Sequence, residues 1–394
     1  MDRVAGASQG WALIAISMLP TLAIVSLVPN LPQLFQHFAA VPGHELYVPM
    51  IITMPSLCIA IFAPLAAGPL ADLWGRRRLV LVAMCAYIVL GVAPLLFDNL
   101  FAIIGSRAVV GVAEAAILTA GNALLGDYFD GAQRQKWLGT QTVVGPVVAS
   151  LLVLAGGALG DRGWNTPFLL YLLATPILVW SWFAIWEPTR ARHVAAADPP
   201  ARPFPWKPTL VVAAVTIVMA LAYFVQALQL GRIFSELGVS TPSSISWYVT
   251  LASVGVIAGG YAYGRMSGVP INRVVALICA SWGIGYVGLG LSPNPYSGLA
   301  FGLVAQFGNG VTIPALIAWA LSKYDIGNRG RGMGIWGGCF FVGQFLSPPA
   351  VTAVGHFSRG FLQTVAVVGG VCLVVALLAL LLPRPGPAPQ PAGR

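Results

Sequence analysis

The stretch that decides the fold of this chain is Gly68-Pro69-Leu70-Ala71-Asp72-Leu73-Trp74-Gly75-Arg76-Arg77-Arg78. It lies between two apolar segments, each long enough to cross a bilayer, so its charged residues mark a turn at a membrane face. Short loops rich in arginine are retained on the cytoplasmic side of a membrane. The three consecutive arginines therefore predict a cytoplasmic turn and set the orientation of every other segment.

The composition agrees with a membrane protein. The chain has 394 residues, of which 58% are hydrophobic and only 8% are charged, whereas charged residues make up about 25% of a soluble domain. The net charge is +9, but most of the 21 basic residues fall in loops on one predicted side. The four exceptions are Arg107, Arg162, Arg232 and Arg359. This asymmetry is a topology signal, and we expect no nucleic-acid partner.

The hydropathy pattern predicts twelve membrane-spanning segments, each near the ~20 residues that a helix needs to cross a bilayer. In the first half they fall at about 11–36, 46–71, 79–97, 100–126, 137–159 and 165–186. In the second half they fall at about 209–234, 243–263, 272–291, 296–321, 331–353 and 361–382. An all-α polytopic membrane protein is therefore expected.

The domain organisation follows from a change in composition after the sixth segment. Residues 187–208 are rich in proline and basic residues, as is typical of a solvated linker. We expect six-helix bundles at 1–186 and 209–382, with the linker and both termini in the cytoplasm. The Pro-rich residues 383–394 are expected to form a disordered tail.

Short patterns indicate that the two halves are copies. The pattern Arg134-x-Lys136-x-x-Gly139 enters the fifth segment, and Arg329-x-Arg331-x-x-Gly334 enters the eleventh at the same spacing. Between the eighth and ninth segments, Gly264-Arg265 corresponds to Gly75-Arg76, without the acidic residue and the arginine cluster. Two six-segment halves of this kind are typical of secondary transporters built from parallel repeats.

The opening stretch resembles the signature loop between the second and third helices of the major facilitator superfamily, G-x-L-A-D-x-x-G-R-(K/R)-x. The matching residues are Gly68, Leu70, Ala71, Asp72, Gly75, Arg76 and Arg77. The resemblance implies the fold of that superfamily, with twelve helices in two pseudo-symmetric bundles. It also implies a conformational latch at Gly68, Asp72, Gly75, Arg76 and Arg77, in which Asp72 faces a neighbouring helix N-terminus. Asp127 and Arg134 are expected to join Arg76 in a cytoplasmic charge cluster.

Two charges fall deep inside one predicted segment, where each costs at least ~2.5 kcal/mol unless it is paired or hydrated. Arg107 and Glu114 are seven residues apart, so they lie on nearly one face of the fourth segment. Arg107-x-x-x-Gly111 resembles the superfamily motif whose arginine helps proton transfer, although Val110 stands where glutamine is usual. We expect Glu114 and Arg107 to couple transport to protons; a purely structural pair is the alternative.

Uncharged polar and aromatic residues mark a predicted substrate cavity. They are Asn30, Asn122, Gln141, Tyr223, Gln226, Gln229, Gln306, Asn309, Trp319, Trp336 and Gln344. Such a set suits a substrate with polar and aromatic parts, but each amide could equally bond another helix. In the fifth segment, Gly145-Pro146 partly matches the G-x-x-x-G-P-x-x-G-G motif of drug and proton antiporters in the superfamily; a simple proline kink is the alternative.

The sequence predicts neither metal nor cofactor. Its five cysteines lie inside apolar segments without metal-ligand spacing, and its four histidines lie in or beside loops. No Walker-type phosphate-binding motif is present, so an ion gradient is the expected energy source.

We therefore predict a monomeric, multi-pass transporter in the bacterial inner membrane that is not an enzyme. Its expected activity is proton-coupled export of a small organic molecule by alternating access, with protons, the substrate and the lipid bilayer as its partners. Proton-coupled uptake of an organic solute or anion is the first alternative, since Arg107 and Arg232 could receive an anion. A polytopic membrane enzyme is the remote alternative, because His37, His44 and Glu45 share a loop but no second catalytic group accompanies them.

Overall fold

The computed structural model describes residues 5–65, 70–188 and 203–381, apart from the side chains of residues 65 and 72. Among the described residues all regular elements are helical, which confirms the predicted all-α membrane fold. Ten segments are long and apolar enough to cross a membrane, and a shorter apolar helix covers Met50–Pro64. With the helix at Arg329–Gly355, they occupy the positions of the twelve predicted segments. Gly68, most of the 187–208 linker and the 383–394 tail lie outside the described residues.

The helices before the linker cover the first six predicted segments. In chain order they are α1 (Ala7–Ser17), α2 (Leu19–Val25), α3 (Leu31–His37), α4 (His44–Tyr47), α5 (Met50–Leu65), α6 (Ala71–Trp74), α7 (Arg76–Gly91), α8 (Leu100–Tyr128), α9 (Gly131–Gly160) and α10 (Ala174–Ala184). Two 3₁₀ turns matter below, at Val28–Asn30 and Thr166–Leu173.

The helices after the linker cover the remaining six segments. They are α11 (Trp206–Glu236), α12 (Pro242–Ala252), α13 (Val254–Tyr263), α14 (Ile271–Leu291), α15 (Pro295–Leu321), α16 (Arg329–Gly355) and α17 (Phe361–Leu381). The eighth predicted segment is thus divided into α12 and α13, which meet at Ser253.

The first segment is broken rather than continuous, because proline removes backbone donors from a helix. At the 3₁₀ turn, the amide of Asn30 donates to the oxygen of Leu27 at 3.0 Å, which leaves the oxygen of Ser26 without its usual helical partner. The Asn30 side chain replaces that bond, with its Nδ2 3.2 Å from the Ser26 oxygen. The same Nδ2 also donates to the Gly156 oxygen of α9 at 3.0 Å. One buried amide therefore completes the break and ties it to α9.

The C-terminal residues of α9 pack closely against other helices. A Cβ on Gly156 would lie 2.0 Å from the backbone oxygen of Ser26, so only glycine allows this approach. The next residue, Gly157, faces α12, and a Cβ there would lie 2.6 Å from the backbone oxygen of Pro242. The carboxylate of Asp161 accepts from the amide of Ser243 at 3.1 Å. The end of α9 is thus fixed to the first segment and to α12.

Contacts within the chain define two compact units. One contains Met1–Thr250 and Tyr324–Thr352; its apolar core is built largely from α1 to α10. The other contains Leu251–Lys323 and Ala353–Arg394; here α14 packs on α15 and α17, and α13 packs on α15. The division into bundles at 1–186 and 209–382 stays a prediction.

Candidate functional site

Arg107 lies completely buried on α8, among the last residues of α7 and the 3₁₀ turn at Thr166–Leu173. Its Nη2 donates to the oxygens of Leu90 at 2.6 Å and Gly91 at 3.0 Å. The guanidinium carbon lies 5.1 Å from the ring centre of Phe168 and 4.9 Å from that of Tyr171. Carbonyls at a helix C-terminus and aromatic faces both stabilise a cation, so the buried charge is largely balanced by its surroundings. Its Nη1 has no hydrogen-bond partner among the described residues.

Glu114 is also completely buried on α8, but it is not balanced in the same way. Neither carboxylate oxygen has a hydrogen-bond partner, and no ion pair joins Glu114 to Arg107 among the described residues. The two residues are about 10 Å apart along the helix axis. Cys58 of α5, Tyr87 of α7 and Arg107 are near enough to interact electrostatically with the carboxyl group. A buried acid without a hydrogen bond is costly to ionise, so its protonation depends on access to water or a cation.

The amides predicted to line the cavity separate into two groups. In the first group the side chains bond to the protein itself. Asn30 bonds to Ser26 and Gly156, as described above. In the second unit, Trp282 Nε1 donates to Asn309 Oδ1 at 2.7 Å, and Asn309 Nδ2 donates to Gln306 Oε1 at 2.9 Å. Asn30 and Asn309 each hold two helices together, whereas Gln306 bonds to Asn309 within α15.

In the second group, buried polar atoms have no hydrogen-bond partner among the described residues. They are Oε1 of Gln229 on α11, and Nε1 of Trp336 and Nε2 of Gln344 on α16. The two helices are in contact, because the Ser347 hydroxyl donates to the Leu221 oxygen at 2.9 Å. A buried polar atom left unpaired costs about 1–3 kcal/mol, so these atoms favour a bound molecule or water that would pair with them.

Aromatic rings accompany these unpaired atoms. Trp336 stacks on Phe340 with ring centres 5.5 Å apart, and Tyr223 of α11 lies 5.5 Å from Phe340. Gln226, on the same helix as Tyr223, is completely buried. Polar and aromatic groups of α11 and α16 therefore occupy one region of the first unit.

The remaining predicted cavity residues are less enclosed. Asn122 on α8 is exposed, and Gln141 on α9 is half-buried. Trp319 on α15 is half-buried, and the Lys323 ammonium lies 5.9 Å from its ring centre. Asn122 and Gln141 belong to the first unit, and Trp319 belongs to the second.

At the end of the molecule that carries the three arginines, the first turn of α7 is capped by a residue from the start of the linker. Glu187 accepts from the amide of Arg76 at 2.8 Å and from the amide of Arg77 at 2.9 Å. A carboxylate at this position satisfies two free amides and interacts favourably with the helix dipole. Gly75, with φ of 83°, leaves room for it, since a Cβ there would lie 2.8 Å from Glu187.

The arginines of the predicted latch have separate partners. Arg76 forms an ion pair with Asp127 of α8. Arg77 donates to the oxygens of Ile185 at 2.7 Å and Trp182 at 2.8 Å. The Arg134 guanidinium lies beside Gly126, where a Cβ would be 3.6 Å away. All of these contacts lie within the first six segments, so they do not by themselves join the two predicted halves. Gly68 and the side chain of Asp72 lie outside the described part of the chain.

The sequence does not indicate Glu187 as a functional residue, because it is the first residue of a stretch that is typical of a solvated linker. Nor does the sequence indicate Tyr128, whose hydroxyl donates to the Trp186 oxygen at 2.5 Å and accepts from the Trp186 amide at 2.8 Å. One signal was available: Gly75 has no side chain to cap α7, so an acceptor had to come from elsewhere.

Known proteins resemble this chain in sequence and in structure. The Multidrug efflux pump LfrA of Mycolicibacterium smegmatis (strain ATCC 700084 / mc(2)155) is 28% identical over 185 residues, which are 44% of this chain. The match spans only 34% of that relative's length. A crystal structure of a mutant of the nucleoside transporter NupG has a TM-score of 0.75 and 11% identity, covering 95% of this chain and 99% of its own. The human organic anion transporter MFSD10 (TETRAN) has a TM-score of 0.67 and 15% identity, covering 94% and 99%.

The structural likeness, at these low identities, shows a shared fold. The family model described as Major Facilitator Superfamily matches residues 11–240 and again residues 210–394. Together the two matches extend over nearly the whole chain, as the signature loop at Gly68–Arg78 predicted. The chain therefore belongs to the Major Facilitator Superfamily.

Proposed function

We propose that this superfamily member is a secondary transporter that exports a small organic molecule in exchange for protons. The observation that carries the proposal is Glu114, a completely buried carboxylate whose two oxygens have no hydrogen-bond partner among the described residues. A purely structural charged residue would be expected to have fixed partners, as the Arg107 guanidinium has in the oxygens of Leu90 and Gly91. An unpaired acid inside a membrane protein is suited to bind and release a proton as water gains or loses access to it.

The region on α11 and α16 supports an organic substrate. Gln229 on α11 and Trp336 and Gln344 on α16 offer one acceptor and two donors that have no hydrogen-bond partner among the described residues. The rings of Trp336 and Tyr223 both lie against Phe340 on the same pair of helices. Such a surface suits a planar or aromatic molecule with a few polar groups. The match to a multidrug efflux pump favours export, although it covers less than half of this chain.

Uptake of an organic anion has weaker support. Arg107 already donates to two backbone oxygens and lies against two aromatic rings. The Arg232 guanidinium lies 4.5 Å from the ring centre of Phe35, and its Nε is 3.9 Å from the carboxylate of Glu236. An anion would have to compete with these contacts at both arginines.

The test of proton coupling is the substitution Glu114→Gln, which keeps the side-chain shape but cannot titrate. Purified protein in proteoliposomes is given a pH gradient, with ethidium as the probe of export and uridine as the probe of uptake. We expect the variant to exchange ethidium down its gradient and to lose accumulation against it. The reason is that the proton no longer has its carrier, whereas the substrate surface is unchanged.

The matched control is Glu45→Gln, which removes an exposed carboxylate from α4 and should leave accumulation unchanged. If Glu114→Gln still accumulates ethidium with unchanged pH dependence, Glu114 is structural and the proposed coupling is wrong. If the wild-type protein accumulates its probe in the compartment that protons enter rather than in the one that they leave, transport is symport and the proposed direction is wrong.

A further inference from the structure

A cavity of about 550 Å³ opens on the side of the molecule where α7 begins and α10 ends. Its lining residues are Leu73, Trp74, Arg77, Arg78, Leu81, Val82 and Trp182. None of them belongs to the coupling residues or to the substrate surface proposed above. Helices α7 and α10 are both part of predicted membrane spans, and these residues lie near the ends of those spans. The cavity therefore lies at the level where a bilayer changes from hydrocarbon to head groups.

Positive charge collects at this cavity. Arg77 is held in place by the oxygens of Ile185 and Trp182, and its guanidinium carbon lies 5.5 Å from the ring centre of Trp182. Neither of these contacts neutralises its charge. Arg78 is exposed and has no hydrogen bond or ion pair within the described part of the chain. Two neighbouring guanidinium groups therefore line a cavity whose described lining includes no carboxylate. The Glu187 carboxylate is bonded to the backbone amides of Arg76 and Arg77 rather than to their guanidinium groups.

The rest of the lining is apolar, and all of it except the buried Leu81 is exposed. The exposed fractions are 79% for Leu73, 53% for Trp74 and 55% for Trp182. Large apolar side chains exposed together mark a surface that contacts lipid or a partner. Tryptophan is enriched at membrane interfaces, where the ring is apolar and the indole N–H reaches the head groups.

An apolar track leads from Arg78 toward the middle of the membrane. Val82, Cys85 and Val89 follow Arg78 at intervals of four, seven and eleven residues, so the four side chains share one face of α7. All four are exposed, which places this face toward lipid. The cavity thus has a cationic end and an apolar extension of the length and direction that an acyl chain requires.

We propose that this cavity binds one anionic phospholipid, with its phosphate at Arg77 and Arg78 and an acyl chain along Val82, Cys85 and Val89. The indoles of Trp74 and Trp182 flank the glycerol region. Charge complementarity selects an anionic head group over a zwitterionic one, because no carboxylate is among the described residues that line the cavity. The exposed apolar lining favours a lipid over a soluble anion, since only a lipid can place a phosphate at the guanidinium groups and an acyl chain of the same molecule along the track.

The experiment is native mass spectrometry of the purified full chain in detergent, with phosphatidylglycerol or phosphatidylcholine added at matched concentrations. The wild-type protein should retain phosphatidylglycerol in preference to phosphatidylcholine. The substitution Arg78→Gln should weaken phosphatidylglycerol retention about fivefold, the effect of one arginine near an anionic lipid. Arg78→Lys keeps the charge and should retain most of the binding.

The matched control is Arg273→Gln. Arg273 is the exposed third residue of α14, as Arg78 is of α7, but it does not line this cavity. Phosphatidylglycerol retention should be unchanged in this variant. Equal retention of the two lipids by the wild-type protein would overturn the proposal, and so would equal losses in Arg78→Gln and Arg273→Gln. Both arginines are exposed, so neither change is expected to prevent folding.

Discussion

The turn before α7 and the turn before α14 occupy corresponding places in the sequence, but their contacts differ. Before α7, Glu187 caps the helix and Arg76 pairs with Asp127. In the second turn, Arg265 bonds to Tyr261, and its guanidinium carbon lies 3.6 Å from that ring centre. The first turn is thus tied to the linker and to α8, whereas the described contacts of Arg265 are with the helix that precedes it.

The difference follows from the acids that surround each turn. A turn with a capping carboxylate and a paired arginine loses backbone freedom, because its amides and its cation have fixed partners. The second turn keeps the glycine and the arginine of the pattern, but no acid is among the described partners of Arg265. Copies of one motif can therefore be rigid in one half and loosely held in the other, and the following substitutions test this.

The largest effect is expected from Gly75→Ala compared with Gly268→Ala. Gly75 has φ 83° and ψ 146°, a conformation that strains other residues by roughly 1–3 kcal/mol, and the new Cβ would displace Glu187. Gly268 has φ 78°, but no atom lies within 4 Å of its Cβ position. We expect Gly75→Ala to lower the thermal unfolding midpoint in detergent by at least about twice as much as Gly268→Ala does. Equal shifts would show that the contact with Glu187 adds nothing.

A smaller loss is expected from Glu187→Gln. The substitution removes the anion that caps α7 and should cost about 1 kcal/mol, the usual value of a helix cap. Hydrogen exchange at the first amides of α7 should quicken, because those of Arg76 and Arg77 lose a charged acceptor. The control is Glu236→Gln, whose carboxylate has only a loose 3.9 Å pair with Arg232. Unchanged exchange in Glu187→Gln would mean that the cap does not hold the turn.

The smallest effect is expected from Asp127→Asn. Its ion pair with Arg76 is partly exposed, with side-chain exposures of 34% for Arg76 and 29% for Asp127, so it should contribute less than about 1 kcal/mol. The loss should shrink further in high salt, which screens exposed charges. Unfolding midpoints at low and high salt measure this, with Arg265→Gln as the control in the second turn. A salt-independent loss would indicate packing rather than charge.

Local pattern was enough to predict the membrane fold. The apolar segments and the signature loop determine the helices and the superfamily, because bilayer thickness and charge placement are properties of short stretches. The break in the first segment could be predicted only in part from local pattern. Proline indicates that a helix is weakened, but only the structure shows that Asn30 replaces the lost bond and joins α9.

Contacts between residues that lie far apart in the sequence could not be predicted from local pattern. The spacing of Arg107 and Glu114 predicts a shared helix face, yet it does not reveal that one charge is balanced and the other is not. The same holds for the amides. Asn309 and Gln344 both carry an amide in a predicted membrane span, and the sequence does not distinguish them. Only the structure shows that Asn309 accepts a bond from Trp282, whereas Nε2 of Gln344 has no partner among the described residues. Glu187 was missed because its partners lie more than a hundred residues earlier.

The bond between Arg107 and the end of α7 bears on how the protein enters the membrane during synthesis. A helix that inserts singly with an arginine inside it pays about 2.5–3.5 kcal/mol. Arg107 recovers part of that cost when the oxygens of Leu90 and Gly91 are beside it. The third and fourth spans are therefore more stable in the bilayer as an adjacent hairpin than as separate helices, which favours their release from the insertion machinery together.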